Sequence, residues 1–525
     1  MMRTRRTSHR AAGATEALAA AVLFGCAAHA PRPSVTPPRP PPPPAAAAPA
    51  PVAEDPLAKP PPAGALPEPE FPASRHFVLD NGTALQVITR KDFPLVEVRL
   101  LVFSGVASDG ERPGLGALTG ELLKAGGAGP SSALGLGERA DALGGRLDVT
   151  TRRDSTSLSI GVTSVDFERA LDLVADVGLR PRFSPLEFEK LRQREIQRVK
   201  SEETGDADWA ASMVLYRQLY ALPQGEHPYS HYDATPADFE RISLADCHAW
   251  YARHFTPHNA LLVVAGDVDP DAVKLAAERA FAAWKGAAPA PLDFPNPAPS
   301  LEPTVWLVDR PHTAQSDIYV ATLGPERSSS VWPAFAASNQ ILGGGLASRL
   351  FLDVREKRSL AYHTGSTAEE PAHGPVPLVL SAGTQTSKTS TTVEALLENL
   401  RRMGETPPAP WEVAMAVRSL SDEMLFRTER LGALADLAAE LAVLHLPDDY
   451  FDGLRRDLEK LTPADVFTVA RRYFDVEHPV IVVAGDAAEI AEPLRRFGNV
   501  EIVNPERDFS TVRELPRLAS EAPSE

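Results

Sequence analysis

In the first half of the chain, short stretches in which apolar and polar residues alternate are interspersed with longer stretches in which apolar residues have helical spacing. Alternation of apolar and polar side chains is typical of strands with one buried face, and apolar spacings of three and four residues are typical of amphipathic helices. Strands are predicted on this basis at His76–Leu79, Ala84–Thr89, Leu95–Ser104, 146–152 and Ser157–Thr163. Helices are predicted at Leu115–Lys124, Leu136–Leu143, Phe167–Val177 and Pro185–Lys200. This mixture predicts an α+β domain.

The second half of the chain repeats the pattern of the first. Residues 241–267 align without a gap with residues 460–486, at an offset of 219. In each segment a Ser/Thr-x-x-Asp sequence begins an amphipathic helix, and an apolar β-branched run then ends at Gly-Asp. Two copies of one domain explain this match. In the second copy, strands are predicted at Thr304–Val308, Asp317–Leu323 and Val376–Ala382, and helices at Pro333–Leu342 and Ala347–Lys357.

Chain length and proline content suggest the domain boundaries. With 525 residues the chain is too long for one ordinary core, which predicts two or three domains. A dense run of prolines and alanines fills residues 31–69, where the composition predicts a semi-rigid polyproline II spacer. We predict a signal peptide at 1–25, a Pro/Ala-rich linker at 26–70, a first domain at 71–286, a linker at 287–303, a second domain at 304–509 and a loose tail at 510–525.

The N-terminus resembles a bacterial targeting signal. Four arginines precede the apolar stretch Ala17–Gly25, whose nine residues are too few to span a bilayer. The sequence Leu23–Cys26 resembles a lipobox, which predicts that Cys26 is lipidated after cleavage. Ordinary secretion after cleavage at Ala30 is the alternative, and the following Pro31 disfavours it. The predicted location is the bacterial cell envelope, with a lipid anchor in the outer membrane and the protein facing the periplasm.

Charge and cysteine content narrow the possible partners. The chain has 53 Lys and Arg against 70 Asp and Glu, a formal charge of −17, so bulk electrostatics disfavours nucleic acid and we expect no nucleic-acid partner. Cys26 and Cys247 are the two cysteines, so acylation of Cys26 leaves no disulfide. Cys247 lies in a helical pattern and is predicted to be a small buried residue.

Residues 114–126, GLGALTGELLKAG, resemble the active-site helix of the insulinase/pitrilysin family of metallopeptidases. In that family two His bind zinc and the Glu beside them is the general base. In register, these three positions are Ala117, Gly120 and Glu121, which cannot hold a metal. The distal Glu ligand of the family falls near Glu195 or the glutamates that follow it. We therefore expect no metal or other cofactor in this chain.

A second resemblance to the same family lies in residues 343–362, GGGLASRLFLDVREKRSLAY. Arg355 and Tyr362 match an Arg–Tyr pair that lines the family's chamber opposite the zinc. A guanidinium can donate several hydrogen bonds to peptide carbonyls, and a phenol can stabilise an oxyanion. At the same offset the first copy has Leu136 and Leu143, so the pair is not a general feature of the fold. A surface charge and a half-buried strand residue remain the alternative interpretation. Gly343, Gly344 and Gly345 resemble the family's chamber-lining glycine loop.

The resemblance implies two homologous domains that form a clamshell, each a mixed β-sheet with helices packed on it. A degenerate zinc helix beside a retained Arg–Tyr pair resembles the partner subunits of bacterial two-subunit members of the family. The implied function is a non-catalytic subunit that contacts an extended peptide and pairs with a zinc-bearing homologous subunit. Zinc is then expected in the partner. Two alternatives stay open: an inert peptide-binding or scaffold protein of the envelope, and an autonomous metallopeptidase with an atypical metal site.

Overall fold

The computed structural model describes residues 71–519 of the chain. The predicted signal peptide, the lipidation site Cys26 and the proline-rich linker lie outside these residues, as do residues 520–525. Among the helices of residues 71–519, none combines the length and the apolar character that crossing a bilayer requires.

The first half forms a mixed six-stranded sheet. Its strands are β1 (Ser74–Val78), β2 (Ala84–Thr89), β3 (Leu95–Val102), β4 (Asp148–Thr151), β5 (Thr156–Thr163) and β6 (Ala260–Gly266). They lie in the order β1-β2-β6-β3-β5-β4, with β2 and β6 parallel and the other neighbours antiparallel. Its helices are α1 (Leu115–Ala125), α2 (Ala133–Ala142), α3 (Phe167–Leu179), α4 (Pro185–Gly205), α5 (Ala207–Leu219), α6 (Pro236–Arg241), α7 (Leu244–His254) and α8 (Pro270–Phe281).

The second half forms a mixed seven-stranded sheet. Its strands are β7 (Thr304–Asp309), β8 (Gln315–Glu326), β9 (Ala361–Ala368), β10 (Pro375–Gln385), β11 (Val480–Gly485), β12 (Asn499–Asn504) and β13 (Ser510–Leu515), in the order β13-β12-β7-β11-β8-β10-β9. A π-helical segment spans Phe351–Lys357. The α-helices are α9 (Trp332–Leu342), α10 (Thr389–Glu405), α11 (Pro410–Glu429), α12 (Leu431–Val443), α13 (Tyr450–Glu459), α14 (Pro463–Tyr473) and α15 (Ala487–Leu494).

The topology confirms the internal duplication. The order β2-β6-β3-β5-β4 in the first sheet matches β7-β11-β8-β10-β9 in the second, including the parallel pair at the same place. Helices α7 and α14 also begin in the same way. Ser243 and Asp246 form a capping box at the start of α7, and Thr462 and Asp465 form one at the start of α14. The fold is therefore two copies of one α+β unit.

The two halves exchange helices. Helix α5 of the first half packs on β11 and β8 of the second sheet, and α12 of the second half packs on β6 and β3 of the first sheet. Small residues on α12, Ala435 and Ala438, lie against Leu101 and Val263 in a separate apolar cluster. Each sheet thus has one face covered by its own helices and part of the other covered by a helix of its neighbour. This arrangement joins the two halves into one body.

Polar contacts reinforce this exchange at its edges. Arg99 of β3, which is nearly buried, forms a salt bridge with Asp436 of α12. The Arg90 guanidinium donates to the carbonyl oxygens of Thr428 at 2.7 Å and Glu429 at 3.0 Å. Both arginines belong to the first half and both sets of acceptors to the second, so they fix the position of α12 along the sheet.

Two predicted elements differ from the structure. Residues 510–515 are not a loose tail, because their backbone pairs with β12 and extends the second sheet. Most of their side chains are exposed, so the sequence has no apolar pattern that would predict this strand. The helix predicted at Ala347–Lys357 is a π-helical segment that begins at Phe351. The prediction of a buried Cys247 is confirmed.

Replacing Ala438 by Asp tests the exchanged helix, because it places an unpaired carboxylate in the apolar contact between α12 and the first sheet. We expect Ala438→Asp to lower the free energy of unfolding by about 3 kcal/mol or more. The measurement is urea denaturation followed by tryptophan fluorescence. Ala433→Asp, on the partly exposed side of the same helix, is the control and should cost much less. Equal effects of the two changes would show that the contact contributes little to stability.

Candidate functional site

Helix α1, which carries the degenerate zinc-site positions, is anchored at its start by a buried carboxyl group. Asp109 Oδ1 accepts a hydrogen bond from the backbone N–H of Gly116 at 2.7 Å. Burial raises the pKa of Asp109 well above its usual range, although the N–H groups at the helix start oppose this shift. A side chain at Gly116 would approach Asp109 Oδ1 to 2.8 Å, so the glycine is needed for this contact.

None of the three residues at the family's zinc-site positions has the surroundings of a metal ligand or a general base. Ala117 lies on the rim of a cavity, and Glu121 is exposed and forms a 3.5 Å salt bridge with Arg194 of α4. Gly120, at the position of the family's general base, is buried against β4. A Cβ atom there would lie 2.2 Å from Thr151 Oγ1. Thr151 therefore occupies the space that a catalytic side chain would need.

Glu195, the candidate for the distal zinc ligand, also forms a salt bridge with another residue. Glu195 lies on α4 and pairs with Arg198 at 2.7 Å, with its side chain largely buried. Arg194, next to Glu195, is the residue that pairs with Glu121. The negative charges of these carboxylates are balanced by arginine side chains, where a zinc site would have a metal ion. In residues 71–519 no group of three or more His, Cys, Asp or Glu side chains is arranged to hold a metal ion.

A cavity of about 800 Å³ opens at the start of α1. Its lining includes Ala117, His227, His231 and His254. The buried histidines are already bonded: His227 Nδ1 accepts from the backbone N–H of Tyr229 at 3.0 Å, and His254 Nδ1 lies 2.9 Å from Ser104 Oγ. Burial lowers the pKa of His227, and it lowers the pKa of His254 to about 4. These histidines are uncharged at neutral pH and serve packing and hydrogen bonding.

The structure brings Arg355 and Tyr362 together. The Arg355 guanidinium carbon lies 5.2 Å from the centre of the Tyr362 ring and 4.7 Å from that of Phe351. Tyr362 is 83% exposed, which rules out the half-buried alternative for this residue. The Arg355 side chain is partly exposed, and within residues 71–519 its one ion pair is a 3.6 Å contact with the adjacent Glu356. Both functional groups are thus accessible to a ligand and oriented by stacking.

Unusual backbone geometry positions this pair. Arg355 lies in the π-helical segment, where the Arg358 N–H donates to the Asp353 carbonyl five residues earlier, at 3.0 Å. Ser359 then takes a left-handed conformation, with φ of 51°, and the chain turns into β9. Single π-helical turns and left-handed non-glycine residues are costly and occur often at functional sites. Neither feature is visible in the sequence pattern, which resembles that of an α-helix.

Buried hydrogen bonds hold the π-helical segment in place. Asp353 Oδ2 accepts from Asn399 Nδ2 at 2.9 Å and forms a salt bridge with Arg358 at 3.0 Å. Arg358 also pairs with Glu398, so α10 is joined to the segment at two successive residues. Sequence reasoning missed these supporting residues, because their partners come from a helix some 40 residues later in the chain.

The predicted glycine loop leads into this region. Gly343 follows α9, and its carbonyl accepts from the N–H of Ser366 on β9 at 3.2 Å. A Cβ at Gly343 would lie 2.2 Å from that nitrogen, so only glycine permits the contact. At Gly344 a Cβ would meet Gln340 Oε1 at 2.1 Å, whereas Gly345 has more room. The loop is shaped by close packing against β9.

At the corresponding positions of the first half, the side chains are apolar and buried. Leu136 and Leu143, which align with Arg355 and Tyr362 at the duplication offset, are 1% and 6% exposed. Leu136 lies within α2 and Leu143 directly follows it. One copy uses these positions for its apolar core, and the other directs an arginine and a tyrosine toward solvent. The duplication therefore makes the Arg355–Tyr362 pair a specific feature of the second half.

Two family models match the chain. One, described as "Insulinase (Peptidase family M16)", matches residues 86–222, which include α1. The other, described as "Peptidase M16 inactive domain", matches residues 241–420, which include Arg355 and Tyr362.

Relatives named as uncharacterized zinc proteases are similar in sequence. One from Mycobacterium leprae is 28% identical over 45% of this chain, and the match spans about half (53%) of that relative's length. One from Streptomyces coelicolor is 24% identical over 70% of this chain and 81% of its own length.

Solved structures share the fold. The peptidase M16 inactive domain from Pseudomonas fluorescens has a TM-score of 0.73 at 24% identity, over 79% of this chain and 98% of that one. The periplasmic protease PqqL from Escherichia coli has a TM-score of 0.67 at 16% identity, over 83% of this chain and 47% of that one.

The contact between Gly120 and Thr151 gives a direct test of the occupied general-base position. We expect the change in the free energy of unfolding caused by Gly120→Ala to be about 1–3 kcal/mol less favourable in the natural chain than in a Thr151→Ala background. The reason is that the added methyl group overlaps the threonine. Helix propensity is the same in both backgrounds and cancels. Chemical denaturation of the four proteins gives the coupling energy, and a value near zero would contradict the contact.

The left-handed backbone at Ser359 gives a second test. Ser359→Gly should leave stability unchanged or slightly higher, whereas Ser359→Val should cost about 1–3 kcal/mol relative to the glycine variant, because a β-branched side chain is strained at positive φ. Thermal unfolding of the two variants checks this. Equal stability of both would show that residue 359 is not left-handed in solution.

Proposed function

The chain belongs to the insulinase (peptidase M16) family, and on that premise we propose that it is a non-catalytic subunit of a two-subunit zinc endopeptidase. In this role it contributes Arg355 and Tyr362 to the binding of an extended peptide. The observation that carries the proposal is the contrast between its two halves. One half has lost the metal-binding side chains, and the other presents an accessible, stacked Arg–Tyr pair on a strained backbone.

The residues at the family's zinc-site positions do not fit zinc. The family's ligand positions hold Ala117 and Glu121, Glu121 is paired with Arg194, and Thr151 takes the space beside Gly120. The proposed partner is therefore a homologous subunit that binds zinc and supplies the attacking water and general base. This assignment also disfavours an autonomous metallopeptidase with an atypical site, because the described histidines of the α1 cavity are bonded to other groups.

The chemistry of the pair suits transition-state binding. The Arg355 guanidinium can donate paired hydrogen bonds to carbonyl oxygens of an extended peptide and fix its register. The Tyr362 hydroxyl can donate to the carbonyl oxygen that becomes negatively charged when the peptide bond is attacked. Stacking of the cation on the phenol ring orients the two donor groups relative to each other.

We place this subunit in the bacterial cell envelope. The basic and apolar N-terminal segment and the lipobox-like sequence at Cys26 support a lipid anchor facing the periplasm. The likeness in fold to a periplasmic protease of Escherichia coli is consistent with that location.

An inert peptide-binding or scaffold protein is the second candidate function. It is favoured by the filled general-base position and by the match of residues 241–420 to a model described as an inactive domain. In that role Arg355 and Tyr362 would bind a peptide that no partner cleaves.

Activity measurements on the complex separate the two functions. The protein is purified with its partners from the native host, and cleavage of a fluorogenic peptide is compared between the natural chain, Tyr362→Phe and Arg355→Lys. We expect Tyr362→Phe to lower kcat about 100-fold, because one oxyanion donor is lost. Arg355→Lys should mainly raise KM, because lysine keeps the charge but loses the fork of donors.

Tyr232→Phe is the matched control, since Tyr232 is a partly exposed tyrosine in the first half. It should leave kcat and KM unchanged. A peptidase complex whose activity is indifferent to both Arg355→Lys and Tyr362→Phe would contradict the proposed subunit role and favour the scaffold.

A further inference from the structure

A second concave surface uses the segment that carries Arg355. This surface, the Trp411 groove, has a volume of about 350 Å³ and lies between the π-helical segment, the end of α10 and the start of α11. The side chains that matter for its chemistry are Leu352, Asp353, Lys357, Asn399, Arg402 and Trp411.

The carboxylates that line the groove are already bonded to other side chains and backbone groups of the protein. Glu412 forms a two-point salt bridge with Arg349, at 2.8 and 2.9 Å, and also accepts from the N–H of Ala409 at 2.7 Å. Asp353 is held by Asn399 and Arg358. These carboxylates are therefore bonded to the protein and are not free to attract a cation into the groove.

Two basic groups at the rim have no direct salt bridge, although Lys357 lies close enough to Asp353, and Arg402 close enough to Glu412, for electrostatic attraction. Lys357 and Arg402 both line the groove and are exposed, and neither forms a salt bridge with any residue in the described part of the chain. The chain as a whole has a formal charge of −17, whereas these two neighbouring rim residues are both basic. Complementarity of charge favours an anionic ligand.

The walls of the groove are apolar and exposed. Trp411 is 58% exposed at the start of α11, and Leu352 is 46% exposed on the π-helical segment. Exposed apolar side chains that share one concave surface mark interaction sites, and tryptophan is enriched among residues that dominate binding. An apolar side chain of a ligand can insert between them.

The floor of the groove leaves one hydrogen-bond acceptor unsatisfied. Asn399 is fully buried, and its Nδ2 donates to Asp353 Oδ2 and to the Ala395 carbonyl, both at 2.9 Å. These bonds fix the orientation of the amide, and Oδ1 has no partner among the described residues. Because this oxygen is itself covered by protein, a ligand in the groove reaches the rim residues and not Asn399.

We propose that the Trp411 groove binds an acidic peptide segment. An apolar side chain of the segment packs between Trp411 and Leu352, and its carboxylates pair with Lys357 and Arg402. A proline-rich segment could also pack on Trp411, but it offers no charge for Lys357 and Arg402. The proposal goes beyond the role of Arg355 and Tyr362 and does not depend on it, because it requires neither cleavage nor a partner subunit.

Fluorescence anisotropy on the purified full chain tests this binding. The probes are a fluorescein-labelled peptide of alternating Glu and Leu, the same peptide with Gln in place of Glu, and decaproline. We expect saturable 1:1 binding of the acidic peptide, at least about tenfold tighter than binding of the Gln peptide, with affinity falling as salt is raised. Trp411→Ala should weaken it about tenfold, and the double change Lys357→Glu with Arg402→Glu should abolish it.

Matched controls separate the groove from general effects. Arg401→Glu changes the residue next to Arg402, and Phe426→Ala removes another exposed aromatic side chain from α11. Neither residue lines the groove. Both variants should bind the acidic peptide like the natural chain, and unchanged thermal unfolding confirms that every variant is folded.

Three results would overturn the proposal. One is equal affinity for the Glu and Gln peptides, and another is full affinity in Trp411→Ala. The third is Trp411-dependent binding of decaproline without binding of the acidic peptide, which would assign the groove to a proline-rich ligand instead.

Discussion

The exchange of helices between the two halves is the contact on which the rest of the structure depends. A sheet covered by helices on one face alone leaves apolar side chains such as Leu101 and Val263 in water, and α12 of the other half covers them. Helix α5 does the same for the second sheet. Neither half can bury both faces of its sheet without the other. The positions of α1 and of the π-helical segment are therefore fixed within one body.

Within this common frame the two copies have diverged at equivalent positions. Leu136 and Leu143 fill the core of the first half, whereas Arg355 and Tyr362 face solvent in the second. The divergence needs a change in backbone as well as in side chains. A π-helical turn and the left-handed Ser359 replace an ordinary helix end, and buried bonds from Asp353 to α10 stabilise them. The first half has changed in the opposite direction, because Thr151 packs where a catalytic side chain would lie.

Local signals in the sequence predicted much of this fold. Strand β2 has the predicted bounds, and the capping boxes at Ser243 and Thr462 identified both the helix starts and the duplication. Strand β9 was not predicted, because its sequence AYHTGSTA is polar and it is held by pairing with β10. The exchange of α5 and α12 depends on contacts between residues hundreds of positions apart. The positions of Arg355 and Tyr362 came from resemblance, whereas their stacking and their support by Asn399 required coordinates.

The proposed division of labour assigns peptide contacts to this chain and metal binding to another chain. Zinc analysis by mass spectrometry tests that division most directly, on the purified chain and on the complex isolated from the native host. We expect no stoichiometric zinc on the isolated chain and about one zinc per complex, retained when Glu121 and Glu195 are both replaced by Gln. One zinc bound to the isolated chain, and lost in that double variant, would contradict it.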